Sequence, residues 1–213
     1  MAFPLNARPV LRRDIVTIGA SAGGVEALIG LFEKLPAGLP AAVAVVIHRN
    51  PERPSQLVNV LAHHSSLQVV EPQDGEHIKQ GCVYLGPRNS HLLIEGTALR
   101  LDPGPKQHGT RPAVNPLFES AARAFGPRVV GVLLSGGGDD GVKGLIAISK
   151  AGGVSLAQDP TEARYPTMPS QAILKDDVDA MLTLAELANA LVMLATEGVL
   201  EKGSSPSDAA SPN

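Results

Sequence analysis

The stretch DIVTIGASAGGVEALIGLFEKLP, residues 14–36, joins a short apolar run to a turn of small residues and then to a segment with a different hydrophobic period. The run at 14–19 is short and mostly apolar, which predicts a buried strand. Apolar side chains then recur at helical spacing until Pro36 ends the pattern. These side chains are Val25, Leu28, Ile29, Phe32 and Leu35. The stretch therefore predicts a strand, a tight glycine turn and a helix.

The same arrangement returns further along the chain. AAVAVVI at 41–47 is a continuous apolar run, typical of a parallel strand buried on both faces. RVVGVLLS at 128–135 leads through the glycine-rich SGGGDDG into another helical pattern. Alternating strands and helices predict an α/β domain with a doubly wound, mostly parallel sheet and helices on both faces. Short alternating runs between residues 81 and 101 predict a small antiparallel excursion within that domain.

We expect three segments along the chain. Residues 1–13 form an N-terminal extension, residues 14–200 the folded domain, and residues 201–213 a disordered tail without an apolar period. Asn115 followed by proline is typical of a helix N-cap and first helical position. Residues 161–169 are expected to form a loop.

The composition excludes several kinds of function. With 213 residues, a net charge of -3 and 3% aromatic residues, the chain has neither the positive charge nor the rings typical of a nucleic-acid partner. The single cysteine, Cys82, cannot form an internal disulfide or a multi-thiolate zinc site. No window approaches about 18 uninterrupted apolar residues. We therefore expect a cytoplasmic protein with no membrane insertion.

The turn GASAGG, residues 19–24, matches the G-x-S-x-G pattern in the strand-to-helix context that a nucleophilic serine requires. Glycines permit the sharp turn, and Ser21 would stand at a helix N-terminus, where free amides can stabilise an oxyanion. A dinucleotide fingerprint fails because serine occupies its second glycine position. A tight turn without catalytic function remains the alternative.

A serine nucleophile needs a base, and an imidazole, whose ordinary pKa is near 6.5, suits that task at neutral pH. Of the six histidines, only His48 directly follows a fully apolar strand, which would bring it to the sheet edge of Ser21. A structural histidine bonded to backbone is the alternative. His63 and His64 are expected at a helix C-terminus, His77 in a turn and His108 in a loop. His91 is expected at the start of an antiparallel strand.

A carboxylate could hold the imidazole in the required tautomer. Asp139 and Asp140 both lie in the glycine-rich loop after the third strong strand, and either fits. The alternative is that one of them only caps the helix that follows. The pair His63 and His64 lacks the spacing of a metal-ligand face, so a metal site is not indicated.

Seven motifs in order, over roughly residues 14–194, resemble the chemotaxis protein-glutamate methylesterases, the catalytic domain of CheB-type proteins. They are IGASAGG, VVIHRN, GCVYLGPRNSHLLI, RPAVNPLFESAA, LLSGGGDDGVKGL, AGGVSLAQDP and MPSQAI. The resemblance implies that Ser21 is the nucleophile, His48 the general base, and Asp140 rather than Asp139 the carboxylate. It also implies that Ala22 and Gly137 contribute to the oxyanion site or pocket.

The resemblance further implies a serine hydrolase that removes methyl esters from glutamate side chains of chemoreceptors and releases methanol. Deamidation of receptor glutamines is a second expected activity, and no cofactor or metal is implied. The partners would be the methylated cytoplasmic helices of chemoreceptors. Ala22, Ile47, Gly137 and Asn115 stand where threonine, glutamine, methionine and aspartate are common in the family, which puts the pocket shape in question.

Because only 13 residues precede the first predicted strand, we expect a stand-alone domain without a receiver. It would then be constitutively active, controlled by a separate regulatory protein, or a piece of a longer product. The alternative function is a non-catalytic regulatory or binding module with the same fold. A nucleotide-binding α/β domain is a third hypothesis, supported only by the glycine turns.

Overall fold

The structure, a computed structural model, describes residues 10–49, 55–176, 178–197 and 199–200. The strands are β1 (Val10–Leu11), β2 (Ile15–Ala20), β3 (Ala42–Ile47), β4 (Gln68–Val70), β5 (Cys82–Leu85), β6 (His91–Glu95), β7 (Ala98–Asp102), β8 (Val129–Leu133), β9 (Val154–Gln158), β10 (Ala180–Leu182) and β11 (Val199–Leu200). The helices are α1 (Gly24–Phe32), α2 (Leu57–His63), α3 (Val114–Phe125), α4 (Val142–Lys150), α5 (Thr167–Asp176) and α6 (Leu184–Thr196), with a short 3-10 turn at Gly126–Arg128.

Seven of these strands form one sheet in the order β10-β9-β8-β2-β3-β5-β4, and every neighbouring pair is parallel. Strand β2 lies at the centre, between β3 and β8. In this register Ala20 is opposite Ile47, so the residues that follow these strands emerge side by side at the carboxyl edge. The predicted doubly wound, mostly parallel sheet is confirmed.

Two apolar layers cover the two faces of the sheet, because its central strands are buried on both sides. One layer packs α1, α2 and α6 against the sheet through Leu28, Leu61 and Leu187. The other packs α3, α4 and α5 through Leu117, Leu145 and Met168. All six of these side chains are buried. This packing fixes the strand ends, and hence the loops at the carboxyl edge.

The small antiparallel excursion predicted between residues 81 and 101 is confirmed for β6 and β7, but β5 does not belong to it. Strand β5 belongs to the main parallel sheet, where it lies between β3 and β4. Strands β6 and β7 pair antiparallel with each other and form a separate hairpin packed against α3. The short run at β5 gives no sequence signal for its partner, because strand direction is decided by the chain segments that pack around it.

The predicted loop at residues 161–169 is wrong in its last three residues, because α5 begins at Thr167. Pro169 suggested a break, but it lies in the first turn of the helix, where a missing amide costs no intrahelical hydrogen bond. Helix α3 begins at Val114 with Ala113 as its N-cap. Asn115 is therefore inside the first turn and is not the N-cap that the sequence predicted.

The predicted disordered tail, residues 201–213, lies outside the described residues, as do residues 1–9 of the predicted extension. Residues 10 and 11 form β1, which pairs antiparallel with β11. Within the described ranges, no helix combines the length and the hydrophobicity needed to cross a membrane.

Candidate active site

Three strand ends at the carboxyl edge bring a hydroxyl, an imidazole and a carboxylate into one hydrogen-bonded chain. Ser21 follows β2, His48 follows β3, and Asp140 lies in the loop after β8. The Nδ1 atom of His48 is 3.1 Å from Ser21 Oγ, and its Nε2 atom is 2.7 Å from Asp140 Oδ2. The structure thus brings together three residues that the sequence separates by up to 119 positions, from 21 to 140.

The turn that carries Ser21 is tight and depends on glycine. Gly23, the N-cap of α1, has a φ of 71°, in the left-handed region that side chains rarely adopt. A Cβ atom added there would lie 2.7 Å from Ser135 Oγ. The Gly24 amide donates to the Ser21 carbonyl across the turn, and the Ser21 amide donates to the Ser135 carbonyl. The hydroxyl is therefore presented from a fixed backbone, partly exposed at the sheet edge.

Asp140 is held in place from several directions. Its side chain is only 3% exposed. Oδ2 accepts a hydrogen bond from the Val114 amide at 2.7 Å, and Oδ1 accepts one from the Asn115 amide at 3.0 Å. Burial acts to raise the pKa of Asp140, but the hydrogen bonds from His48, Val114 and Asn115 together outweigh it and hold the pKa below its usual value. The carboxylate is thus ionised at neutral pH.

The ionised carboxylate determines the tautomer of His48. A carboxylate only accepts hydrogen bonds, so the Nε2 atom of the ring must donate to Asp140. Nδ1 is then left as an acceptor, and the Ser21 hydroxyl can donate to it. This orientation is the reverse of the chymotrypsin arrangement, in which Nε2 faces the serine. With a side chain 15% exposed, the ring is shielded but still open to a small substrate.

The amides beside Ser21 differ in their availability. The Ser21 amide is engaged with Ser135. Within the described part of the chain, the amides of Ala22 and Gly137 donate to no protein acceptor. Both residues are exposed. Gly137 also lines a cavity of about 340 Å³ beside the imidazole. The other residues that line this cavity are His48, His108, Thr110, Gly138, Asp139 and Asp140.

The remaining candidates from the sequence have other contacts. Asp139 turns away from His48 and accepts a hydrogen bond from Lys175 at 3.1 Å. His91 is buried, where one ring nitrogen contacts the Pro105 carbonyl and the other accepts from the Ala113 amide. His64 contacts Glu33, His77 contacts Thr97, and His63 stacks edge-on against His64. His108 lies on the cavity wall, 3.2 Å from the side-chain amide of Asn115. Cys82 is buried, as expected.

Sequence reasoning missed the part of Ser135 in this site. Ser135 is 1% exposed. Its carbonyl accepts from the Ser21 amide, and its hydroxyl donates to the Ala22 carbonyl at 2.9 Å and accepts from the Tyr165 amide at 3.0 Å. Ser135 thereby holds the nucleophile turn against the loop before α5. The one signal in the sequence was its position, directly after a buried strand and before three glycines.

Comparisons with known proteins agree with this geometry. Residues 16–191 match the family described as CheB methylesterase. A protein-glutamate methylesterase/protein-glutamine glutaminase of Methanosarcina mazei is 37% identical over 191 residues, which cover 85% of this chain and 52% of that protein. One of Anaeromyxobacter dehalogenans is 40% identical over 180 residues, covering 84% and 53%. The chain thus spans about half the length of these curated relatives.

Two further matches have lengths similar to that of this chain. A relative from Leptospira interrogans is 32% identical over 182 residues, which cover 85% of this chain and 94% of that protein. The crystal structure of the Thermotoga maritima CheB methylesterase catalytic domain superposes with a TM-score of 0.81 at 32% identity, covering 85% of this chain and 98% of that one. Because the family match extends over most of the sheet and every loop of the site, this chain belongs to the CheB methylesterase family.

Proposed function

We propose that this chain hydrolyses methyl esters of glutamate side chains in chemoreceptor proteins, with Ser21 as nucleophile, His48 as general base and Asp140 as the carboxylate that orients the imidazole. The observation that carries the proposal is the continuous hydrogen-bonded chain from Ser21 Oγ through His48 to Asp140 Oδ2. Family membership and the names of the curated relatives supply the reaction class.

In the first half of the proposed reaction, His48 Nδ1 takes the proton of the Ser21 hydroxyl as the oxygen attacks the γ-carbonyl of the ester. The imidazolium that forms is stabilised by ionised Asp140, to which Nε2 already donates. The carbonyl oxygen becomes an oxyanion, and the unengaged amides of Ala22 and Gly137 are the donors available to it. A single donor of this kind contributes about 3 kcal/mol to transition-state stabilisation.

In the second half, Nδ1 returns its proton to the departing methoxide, and methanol leaves an acyl-enzyme on Ser21. Water then enters, gives a proton to Nδ1 and attacks the acyl carbon. Nδ1 passes this proton to Ser21 Oγ as the bond between that oxygen and the acyl carbon breaks, which releases glutamate and restores the serine hydroxyl. A glutamine amide follows the same course with ammonia as leaving group. The relatives' names include this glutaminase activity, and we extend it to this chain as part of the proposal.

The physiological substrate belongs to the proposal as well. The proposed substrates are the methylated cytoplasmic helices of chemoreceptors. A glutamate ester projects from the surface of a helix, so it can reach a serine that is partly exposed at the edge of a sheet. A cytoplasmic location follows from that substrate. The catalytic unit proposed here is the domain at residues 14–200, and control by a separate regulatory protein is consistent with it.

Methanol release from a methyl-esterified chemoreceptor fragment tests the proposal. The unmodified chain should release methanol, and Ser21→Ala should lower turnover by at least about 10⁴-fold, because it removes the hydroxyl that contacts His48 Nδ1. Ser65→Ala is the matched control and should retain activity, because Ser65 lies in the turn after α2, where its hydroxyl accepts from the Leu67 amide. Undiminished turnover in Ser21→Ala would reject the assignment. Receptor binding by the unmodified chain without methanol release would favour the non-catalytic module.

A further inference from the structure

Helices α3 and α4 exchange their N-terminal caps. The Asp140 carboxylate, which precedes α4, accepts from the amides of Val114 and Asn115 in the first turn of α3. In return, Asn115 Oδ1 accepts from the amide of Gly141, the N-cap of α4, at 3.0 Å and from the amide of Gly144, in the first turn of α4, at 2.9 Å. The N-cap residue of neither helix makes a side-chain capping bond. At each helix N-terminus, two backbone amides are thus bound by a side chain that lies at or just before the start of the other helix.

Asn115 contacts Asp140 from two sides. Its own amide binds the carboxylate, and its side-chain oxygen binds the Gly141 amide, which is the peptide directly after Asp140. The first contact restrains rotation of the carboxylate, and the second restrains the backbone that carries it. Asn115 is 3% exposed, so water cannot readily replace either bond.

The packing of the two helices makes this exchange rigid. A Cβ atom added at Gly144 would lie 2.4 Å from Phe118 Cβ, which shows how closely α3 and α4 approach. At this separation the short asparagine side chain spans the two helices, and a displacement of α4 would move Asp140 with it.

The side-chain nitrogen of Asn115, Nδ2, makes a contact that an aspartate at this position could not make. With Oδ1 occupied by two amides, Nδ2 is directed at His108 Nε2, 3.2 Å away on the cavity wall. An aspartate could still accept from Gly141 and Gly144 but could not donate to a neutral His108. An alanine could do neither. The two functions of the side chain can therefore be separated by substitution.

We propose that Asn115 is a positioning residue for Asp140. It touches no substrate and acts through the carboxylate, which it holds so that Oδ2 faces His48 Nε2. The proposal deepens the proposed function and rests on it, since it assigns a second residue to the control of the same site.

The test compares Asn115→Ala and Asn115→Asp with Ser120→Ala. Ser120 is a buried polar residue of the same helix, and among the described residues its hydroxyl bonds to Leu117 and Ile94, away from the site. Asn115→Ala should lower kcat by between about 10-fold and about 100-fold with little change in KM, because a misplaced carboxylate affects the chemical step. Asn115→Asp should recover most of that loss. Ser120→Ala should keep its kcat while losing thermal stability.

A second readout does not depend on activity. The proton on His48 Nε2 that bridges to Asp140 should give a strongly deshielded NMR resonance, which Asn115→Ala should shift or broaden and Ser120→Ala should leave in place. The readout remains valid if the unmodified chain shows no esterase activity, so failure of the proposed function is distinguishable from failure of this inference. If the alanine variant does not fold, Asn115→Ser, whose hydroxyl is too short to span both amides, takes its place. An unchanged resonance and kcat in a folded Ala or Ser variant would overturn the proposal.

Discussion

Helices α1 and α4 begin alike but use their N-terminal amides differently. Each follows a buried central strand, and each has a left-handed glycine as its N-cap, Gly23 with a φ of 71° and Gly141 with a φ of 101°. At α4 the first amides are occupied by Asn115. At α1, within the part of the chain that is described, no side chain accepts from the amides of residues 22–26.

The difference teaches what each helix end can do. The closed end at α4 is a scaffold: Asn115 binds the amides of Gly141 and Gly144, and the first turn of α3 holds the aspartate that precedes α4. The open end at α1 keeps donors and the positive end of the helix dipole beside the Ser21 hydroxyl, where negative charge would develop. The two helices thus have similar N-caps but different functions, because a side chain of a neighbouring helix binds the N-terminal amides of α4 and not those of α1.

Asp140→Asn removes the charge at the closed end and should have the largest effect. Ester hydrolysis should fall by about 10⁴-fold, because a neutral amide no longer fixes the tautomer of His48. The single amide oxygen cannot replace both carboxylate oxygens, so about 1–3 kcal/mol of unfolding free energy should also be lost. Steady-state kinetics and urea unfolding measure the two effects. Asp74→Asn, which removes an exposed carboxylate paired with Arg100, is the control and should change neither by much.

The difference in unfolding free energy between the unmodified chain and Asp140→Asn should depend on pH, and its direction follows from the pKa of Asp140. Since the folded-state pKa of Asp140 lies below its usual value near 3.9, its stabilising effect is complete above that value and is lost as pH falls through the lower folded pKa. The stability difference between the unmodified chain and Asp140→Asn should therefore be constant above about pH 5 and shrink below about pH 4. Urea unfolding at a series of pH values checks this. A difference that persists unchanged in strong acid would contradict the carboxylate's assigned environment.

Gly136→Ala perturbs the open end and should have an intermediate effect. The added Cβ would lie 2.9 Å from Ser21 Cβ and 2.8 Å from Met168 Sδ, so the nucleophile or the methionine must move. We expect roughly a 10-fold loss of ester hydrolysis and about 1–3 kcal/mol of destabilisation. Gly38→Ala, with open space around the new Cβ, is the matched control for loss of a glycine. Full activity in Gly136→Ala would show that the turn tolerates more displacement than its packing indicates.

Thr183→Ala should have the smallest effect and tests a third kind of helix end. At α6 the cap is local: the Glu186 amide donates to Thr183 Oγ1, and the Thr183 amide donates to the Glu186 carboxylate. Loss of the threonine hydroxyl should cost about 1 kcal/mol of unfolding free energy and leave turnover unchanged. Thermal unfolding and the methanol assay check the two statements. A loss of turnover would mean that α6 contributes to the site, which no contact of Thr183 suggests.

The elements with strong local patterns were predictable. Strands β2, β3 and β8 are continuous apolar runs, and the glycine turn after β2 carried a recognisable nucleophile pattern at Ser21. Helix α5 was missed because Pro169 resembles a breaker unless the helix start is known. The direction of β5 was missed because its four residues carry no information about which strands flank them.

The candidate site was likewise predictable in part from the sequence. Sequence reasoning selected His48 because it directly follows a strand, but from the residues alone it could not choose between Asp139 and Asp140. The resemblance to the CheB-type methylesterases implied Asp140. Geometry gives the physical distinction, since Asp139 faces Lys175 while Asp140 faces His48 and the first turn of α3. Ser135 was not singled out, and Asn115 was predicted only as a helix N-cap and as a departure from the family pattern, because the contacts of both residues join segments distant in sequence.

By itself the sequence determined the layered α/β fold, the sheet edge at which polar residues gather, and the turn that exposes Ser21. These features arise from hydrophobic periodicity and glycine geometry, which act over a few residues. Only the tertiary structure decided which carboxylate meets the imidazole, which ring nitrogen faces the serine, and which helix end stays open. Those outcomes depend on hydrogen bonds between helices and loops far apart in the chain, and their geometry is set only when both sides of the sheet are packed.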